Sequence, residues 1–178
     1  MAGPLNLEQI ILFLLETPMF GDLDAAELSR IVHIMQVQRL REGQLLFEEG
    51  QPGDAWYVLY EGSVEVVKDD GAGESVIAVF GPRTCFGEMA ILDGSPRSAT
   101  VQAAASSTVL RFPREDFLKL IGEDNIAAYK LVYQMAKVLA KRQRSTTARL
   151  VQVIRKADDE EAVGEELAPI VKQSTTAE

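Results

Sequence analysis

Hydrophobic residues change their spacing twice along this chain. Near the start, Ile10, Phe13 and Leu14 fall on one side of a helix predicted from Leu7 to about Glu16, with Asn6 placed to cap it and Pro18 beyond its end. A second helix follows Asp24, whose carboxylate can cap, with Glu27 at the capping-box position. Its Leu28, Ile31, Val32 and Met35 keep the i, i+3, i+4, i+7 spacing of a buried face. From Val37 to about Arg111 the period drops to two. Leu45 and Phe47, then Trp56, Val58 and Tyr60, then Val64 and Val66, then Val76, Ala78 and Phe80 alternate through short runs. Gly50-Gln51-Pro52-Gly53, Glu61-Gly62 and Asp69-Asp70-Gly71-Ala72-Gly73 separate them, and this rhythm predicts a barrel or jelly roll. Ala99 with Val101 and Val109 with Arg111 mark two more strands, and Pro113 suits the first turn of a short helix, Glu115 to Ile121.

Helical spacing returns from about Asn125 to about Lys156. Ile126, Tyr129, Val132, Tyr133, Ala136 and Leu139 are its apolar positions at first, and Leu150, Val153 and Ile154 restore a stripe beyond a polar middle. That last stripe needs a partner helix, most simply from a second copy by two-fold pairing. The expected architecture is mainly β with flanking helices. It comprises an N-terminal helical segment (1–36), a β-roll with a short helix (37–124), a long helix (125–157) and an acidic tail (158–178) poor in aromatic residues and read as disordered.

Charge sharpens these boundaries. Residues 1–124 hold 9 Lys/Arg against 20 Asp/Glu, residues 125–157 hold 8 against none, and residues 158–178 hold 1 against 7. A basic helix between acidic neighbours can bind phosphates without reading sequence. The acidic surroundings and the lack of interleaved aromatics count against nucleic acid. The single cysteine, Cys85, excludes an internal disulfide framework. The apolar run Ile10 to Leu15 is too short to span a bilayer and no basic residue precedes it, so a cytoplasmic protein without a membrane partner is expected. His33 is the only histidine and the barrel segment has none, which turns the prediction away from a metal-dependent cupin and from any metal site. No nucleophile–base constellation is recognisable, so no enzyme is expected and no cofactor is implied.

One stretch carries chemistry: Phe86-Gly87-Glu88-Met89-Ala90-Ile91-Leu92-Asp93-Gly94-Ser95-Pro96-Arg97-Ser98-Ala99-Thr100-Val101. Gly87 leaves room for close approach, and one helical turn from Glu88 presents N–H groups to an anion. The Asp93–Pro96 turn can bring Arg97 back, and its fork matches phosphate oxygens. Glu88 is an acceptor suited to sugar hydroxyls. Together these groups fit a small phosphorylated sugar.

The same segment resembles the phosphate-binding cassette of cyclic nucleotide-binding domains, in Phe-Gly-Glu-x-Ala followed by Pro-Arg-x-Ala-Thr-Val. The turn Glu49–Asp54 and Tyr57–Val64 are similar to that family's β-roll, and the resemblance covers roughly residues 8 to 142. It implies that Glu88 binds the ribose 2′-hydroxyl and Arg97 the cyclic phosphate. Backbone N–H groups at Ala90 and its neighbours assist, Ser98 adds a hydroxyl, and the base lies against Val66, Ile77 and Ala78. Phe86, Gly87, Met89 and Ala99 complete the cassette, and Arg142 or Gln143 falls near the position that caps the base. The ligand so implied is cAMP, favoured over cGMP, and the function is a receptor module that signals to an effector protein through its C-terminal helix. Arg83-Thr84 departs from the Gly-Asp usual before the cassette. No helix-turn-helix, kinase or channel segment is recognisable, which implies a stand-alone sensor. The competing readings are a ligand-free β-roll scaffold and nucleic-acid binding through the basic helix.

Overall fold

The structure is a computed structural model that describes residues 6–69, 71 and 73–174, with side chains described as far as Arg155. It divides into two compact units, Met1–Met135 and Ala136–Glu178.

In the first unit α1 (Leu7–Leu15) begins at Asn6, whose side chain accepts from the Glu8 N–H, and Gln9 closes a capping box. A 3-10 turn (Pro18–Phe20) leads to α2 (Ala25–Val32). There Asp24 Oδ1 accepts from the Glu27 N–H at 2.8 Å and Glu27 Oε2 accepts from the Asp24 N–H at 2.9 Å, so both ends of that box are closed.

Eight strands follow: β1 (Gln36–Leu40), β2 (Leu45–Phe47), β3 (Ala55–Glu61), β4 (Val64–Asp69), β5 (Glu74–Phe80), β6 (Cys85–Phe86), β7 (Thr100–Ala103) and β8 (Ser107–Pro113). They form two antiparallel sheets, ordered β1-β8-β3-β6 and β2-β7-β4-β5. A single turn, α3 (Met89–Leu92), interrupts the strands between β6 and β7, and α4 (Arg114–Gly122) follows β8.

β3 lies inside its sheet, and Ala55 through Leu59 are all buried. Its alternation therefore separates two cores instead of core from solvent. Ala55, Tyr57 and Leu59 face the interior of the roll with Leu40, Val64, Phe86 and Val101. Trp56 faces the helices: its ring stacks on Phe112 at 4.2 Å, with Phe20 at 6.0 Å and Phe117 edge-on at 5.8 Å. The alternating set that includes Trp56 and Tyr60 thus does not line the interior of the roll. Tyr60 instead meets Phe13 of α1, with ring centroids 4.6 Å apart. β5 differs too: it is an edge strand, and Val76, Ile77 and Val79 are exposed.

The last helix, α5, spans Ile126–Ser174. In its first turns the buried residues are Ala127, Ala128, Leu131 and Met135, whereas Ile126, Tyr129 and Tyr133, expected on the apolar face, are exposed. Polar clasps fix that rotation. Lys130 Nζ reaches both Glu27 oxygens at 2.7 and 2.8 Å, and the Gln134 amide donates to Asp22. In the second unit Leu150, Val151, Val153 and Ile154 are exposed. The helix continues beyond the end expected near Lys156, and the backbone of 158–174, the segment read as disordered, is helical. Four Glu and two Ala in that segment favour helix intrinsically, against Gly164 and Pro169, which do not. Residues 175–178 lie outside the described residues. Among the described residues no helix is long and apolar enough to cross a membrane.

Phe112 stacks on Trp56 across the β3–β8 ladder and meets Phe20 on the helical side, so Phe112→Ala should lower unfolding free energy by about 3–5 kcal/mol, read from the urea midpoint at unchanged m-value.

Candidate functional site

Three chain segments meet at Arg97. The turn after β2 supplies its backbone partners: the Arg97 N–H donates to the Gln51 carbonyl at 2.8 Å, and the Gly50 N–H donates to the Arg97 carbonyl at 2.9 Å. Gln51 folds the turn on itself, accepting from the Glu48 N–H at 3.1 Å and donating to the Glu48 carboxylate at 2.8 Å. The turn also presses on α3, because a Cβ at Gly53 would lie 2.1 Å from that of Ala90. Only glycine permits this approach.

The Arg97 side chain is buried at 3% exposure. Nη1 donates to the Gly87 carbonyl at 3.0 Å, and Nη2 donates to the Ala55 carbonyl at 2.7 Å and to Asp54 Oδ1 at 3.1 Å. The guanidinium lies over the Phe47 ring, 4.1 Å from its centroid, with the Tyr57 centroid at 5.7 Å. Nε–H is buried and has no partner. A guanidinium has five N–H donors, and three bonds are made. What this environment lacks is an acceptor at Nε, and an oxyanion is the group that would complete it.

Gly87 turns the chain between Phe86 and Glu88 at φ +76°, and a Cβ there would stand 2.8 Å from Arg97 Nη1. Phe86 is buried and stacks on Tyr57 at 5.6 Å. Glu88 forms the N-cap of α3 and is 1% exposed, a carboxylate almost wholly removed from water. Met89 is exposed and Ala90 and Ala99 are buried. After α3, Asp93 Oδ1 accepts from the Ser95 N–H at 2.9 Å and closes the turn that returns the chain to Arg97. Ser98 is exposed, and its carbonyl accepts from Lys68 Nζ at 2.9 Å.

Val66 pairs with Ala78 on one side and Val101 on the other. The β4–β5 register shifts between Val66 and Val67, leaving Ile77 as the extra residue of a bulge, 56% exposed. Bulges re-aim side chains, and this one falls among the three residues expected to meet a base. The structure thus brings Glu88, Ala90 and Arg97 together around one turn and pairs Val66 with Ala78. Arg142 and Gln143 lie on α5 in the second unit, where Gln143 is exposed.

Asp54, Phe47, Tyr57 and Lys68 were not among the expected site residues. Asp54 is shared, since its Oδ2 accepts from Arg111 at 2.7 Å while Oδ1 holds Arg97. Burial alone would raise its carboxyl. The hydrogen bond and charge of Arg111, with the charge of Arg97, outweigh burial and hold it below its ordinary value. Burial pushes the Tyr57 hydroxyl up, and the Asp54 charge adds to that. The signal for Asp54 was its place at the end of the Gly50–Asp54 turn, where it faces whatever the turn packs against. Arg83, the departure before the cassette, adopts φ +69°, a conformation natural to glycine. Its guanidinium pairs with Glu16, at the C-terminal cap of α1, and lies 5.6 Å from the Phe13 ring centroid, contacts that glycine could not make. Among the described residues there is no group of three or more His, Cys, Asp or Glu able to hold a metal ion.

The two antiparallel sheets thus carry a one-turn helix and a buried arginine within one short segment, 86–101. A family model described as "Cyclic nucleotide-binding domain" matches residues 37–124. The cAMP-dependent protein kinase regulatory subunit of Mycosarcoma maydis is 29% identical over 134 residues, 75% of this chain and 24% of that protein. The cyclic AMP receptor protein of Thermus thermophilus is 32% identical over 124 residues, 69% of this chain and 57% of that protein. A solved cyclic nucleotide-binding domain from Methylobacillus flagellatus superposes with TM-score 0.71 at 28% identity, covering 81% of this chain and 82% of that one. The match thus spans about a quarter of the length of the kinase subunit and little more than half of the receptor. The chain belongs to the cyclic nucleotide-binding domain family.

The Asp54 shift has a sign that can be tested. A carboxyl held below its ordinary 3.8 stabilises the fold fully above that pH, and the contribution is lost as pH falls through the depressed native value. Asp54→Asn should be less stable than wild type at pH 6 and should lose less stability below pH 3.8, measured by urea unfolding across a pH series. Parallel profiles would contradict this assignment.

Proposed function

We propose that this chain is a non-enzymatic receptor for a cyclic nucleotide, with cAMP preferred over cGMP. The observation that carries the reading is the unpartnered Nε–H of buried Arg97 inside the Phe86–Ala99 cassette. The cyclic phosphate supplies the missing acceptor there, assisted by the first N–H groups of α3, which have no intrahelical partner, and by the Ser98 hydroxyl. The Glu88 carboxylate takes the ribose 2′-hydroxyl. The base rests on Val66 and Ala78, with the bulged Ile77 beside them. Preference for cAMP is supported by the names of the curated relatives, a cAMP-dependent kinase regulatory subunit and a cyclic AMP receptor protein.

The signal leaves through α5 to an effector protein in the cytoplasm. The exposed Leu150, Val153 and Ile154 form the surface on which a second copy or that effector pairs. Ligand energy can move such a helix only by favouring one of its positions over another.

Calorimetric titration with cAMP and with cGMP tests the receptor. Saturable binding is expected, tighter for cAMP, and Arg97→Lys, which keeps the charge but loses the fork, should weaken it about 10- to 100-fold. A folded wild-type protein that binds neither nucleotide would end the proposal. The signalling step is tested by spin-label distances between Glu74 and Arg149 sites in a Cys85→Ser background. The distribution should shift at saturating nucleotide, and identical distributions would remove α5 from the mechanism.

A further inference from the structure

Phe47 reaches Arg97 through an irregularity in β2. Leu45 pairs with Gln102, yet Phe47 pairs with Val101, so Leu46 is an extra residue in the ladder. In an unbroken ladder Leu46 would oppose Val101 and Phe47 would oppose Thr100, one pleat away and on the other face. The bulge returns Phe47 to the row of Val101, which is buried, while Leu45 stays exposed in the row of Gln102. There the Phe47 ring packs on Tyr57 at 5.7 Å and on Phe86 at 6.5 Å, and it carries the Arg97 guanidinium on its face at 4.1 Å.

The other partners of Arg97 constrain different freedoms. Gly87, Ala55 and Asp54 take bonds from Nη1 and Nη2, and so fix the rotation of the guanidinium within its own plane. A ring beneath the guanidinium fixes the plane itself. The ring quadrupole also favours a cation where water is excluded, which an aliphatic side chain of similar bulk does not do. We propose that Phe47 is a positioning residue for phosphate recognition: its ring sets the plane of Arg97 so that the buried, unpartnered Nε–H of that guanidinium faces the incoming oxyanion. This rests on the reading that Arg97 takes the phosphate of the nucleotide. Tyr57, also within reach of the guanidinium at 5.7 Å, sits below Phe47 and supports it.

The test has a ligand-free arm and a binding arm. In 15N-labelled protein without nucleotide, the Arg97 Nε–Hε resonance, identified by its disappearance in Arg97→Lys, should be displaced by the ring current of Phe47. It should move to the position of an ordinary arginine in Phe47→Leu and stay displaced in Phe47→Tyr. Phe47→Leu should weaken cAMP binding about 2- to 30-fold and Phe47→Tyr should restore it. Val109→Ala opens the same core away from Arg97, and should lower the urea midpoint while leaving both resonance and affinity in place. The inference is overturned by an unmoved resonance in Phe47→Leu, by wild-type affinity in that variant, or by a Val109→Ala protein that reproduces both changes. Failure of the wild type to bind any cyclic nucleotide would strike the receptor reading itself, and the resonance would then decide whether Phe47 orients Arg97.

Discussion

A buried cation sets the terms for the rest of the β-roll. Removing a guanidinium from water costs several kcal/mol unless charge and hydrogen bonds replace the lost hydration. Here Asp54 supplies charge, two carbonyls supply acceptors and an aromatic ring supplies its face. They come from three segments, Phe47 in β2, Asp54 with Ala55 at the start of β3 and Gly87 in the cassette, so the segments must arrive together. The turn after β2 can approach only because residue 53 has no side chain, and the cassette can turn only because residue 87 tolerates a positive φ. The two glycines are thus conditions for the charge balance of one arginine.

β3 distributes the consequences. Its neighbours Trp56 and Tyr57 point to opposite cores, one beneath the helices and one inside the roll beside Arg97. A change in helix packing at Trp56 and a change in the cassette at Tyr57 therefore act on adjacent residues of one stiff strand. Glu27 adds a second economy on the helical side, since one carboxylate both closes the capping box of α2 and receives Lys130 from α5. The start of α2 and the first turns of α5 are stabilised by the same group.

Much of this was legible in the sequence. Both helix caps were readable because capping is local chemistry, decided within four residues. The cassette was readable because its spacing carries its geometry. The strands were readable as strands, but the faces of β3 were not, because alternation cannot tell a core from a second core. The rotation of α5 was misread for a related reason: Ala127 and Ala128 look indifferent beside Tyr129 and Tyr133, yet small residues are what a close helix approach selects. Ala55, Asp54 and Phe47 were invisible as partners of Arg97 because they lie 42 to 50 positions away in the chain, and burial of a charge is a property of the assembled roll. The bulges that place Phe47 and Ile77 are single-residue slips that no periodicity shows.

The second of those slips has a consequence for how the domain lives among its own copies. β5 closes its sheet with a free edge, and Val76, Ile77 and Val79 stand in solvent along it. A straight edge of that composition is a template for another strand, the first step toward an amyloid-like stack. The extra residue at Ile77 bends the strand and breaks the even repeat of its free N–H and C=O groups. An incoming chain would have to carry a matching irregularity to pair along the full length. The kink thereby keeps a greasy margin from becoming a seam.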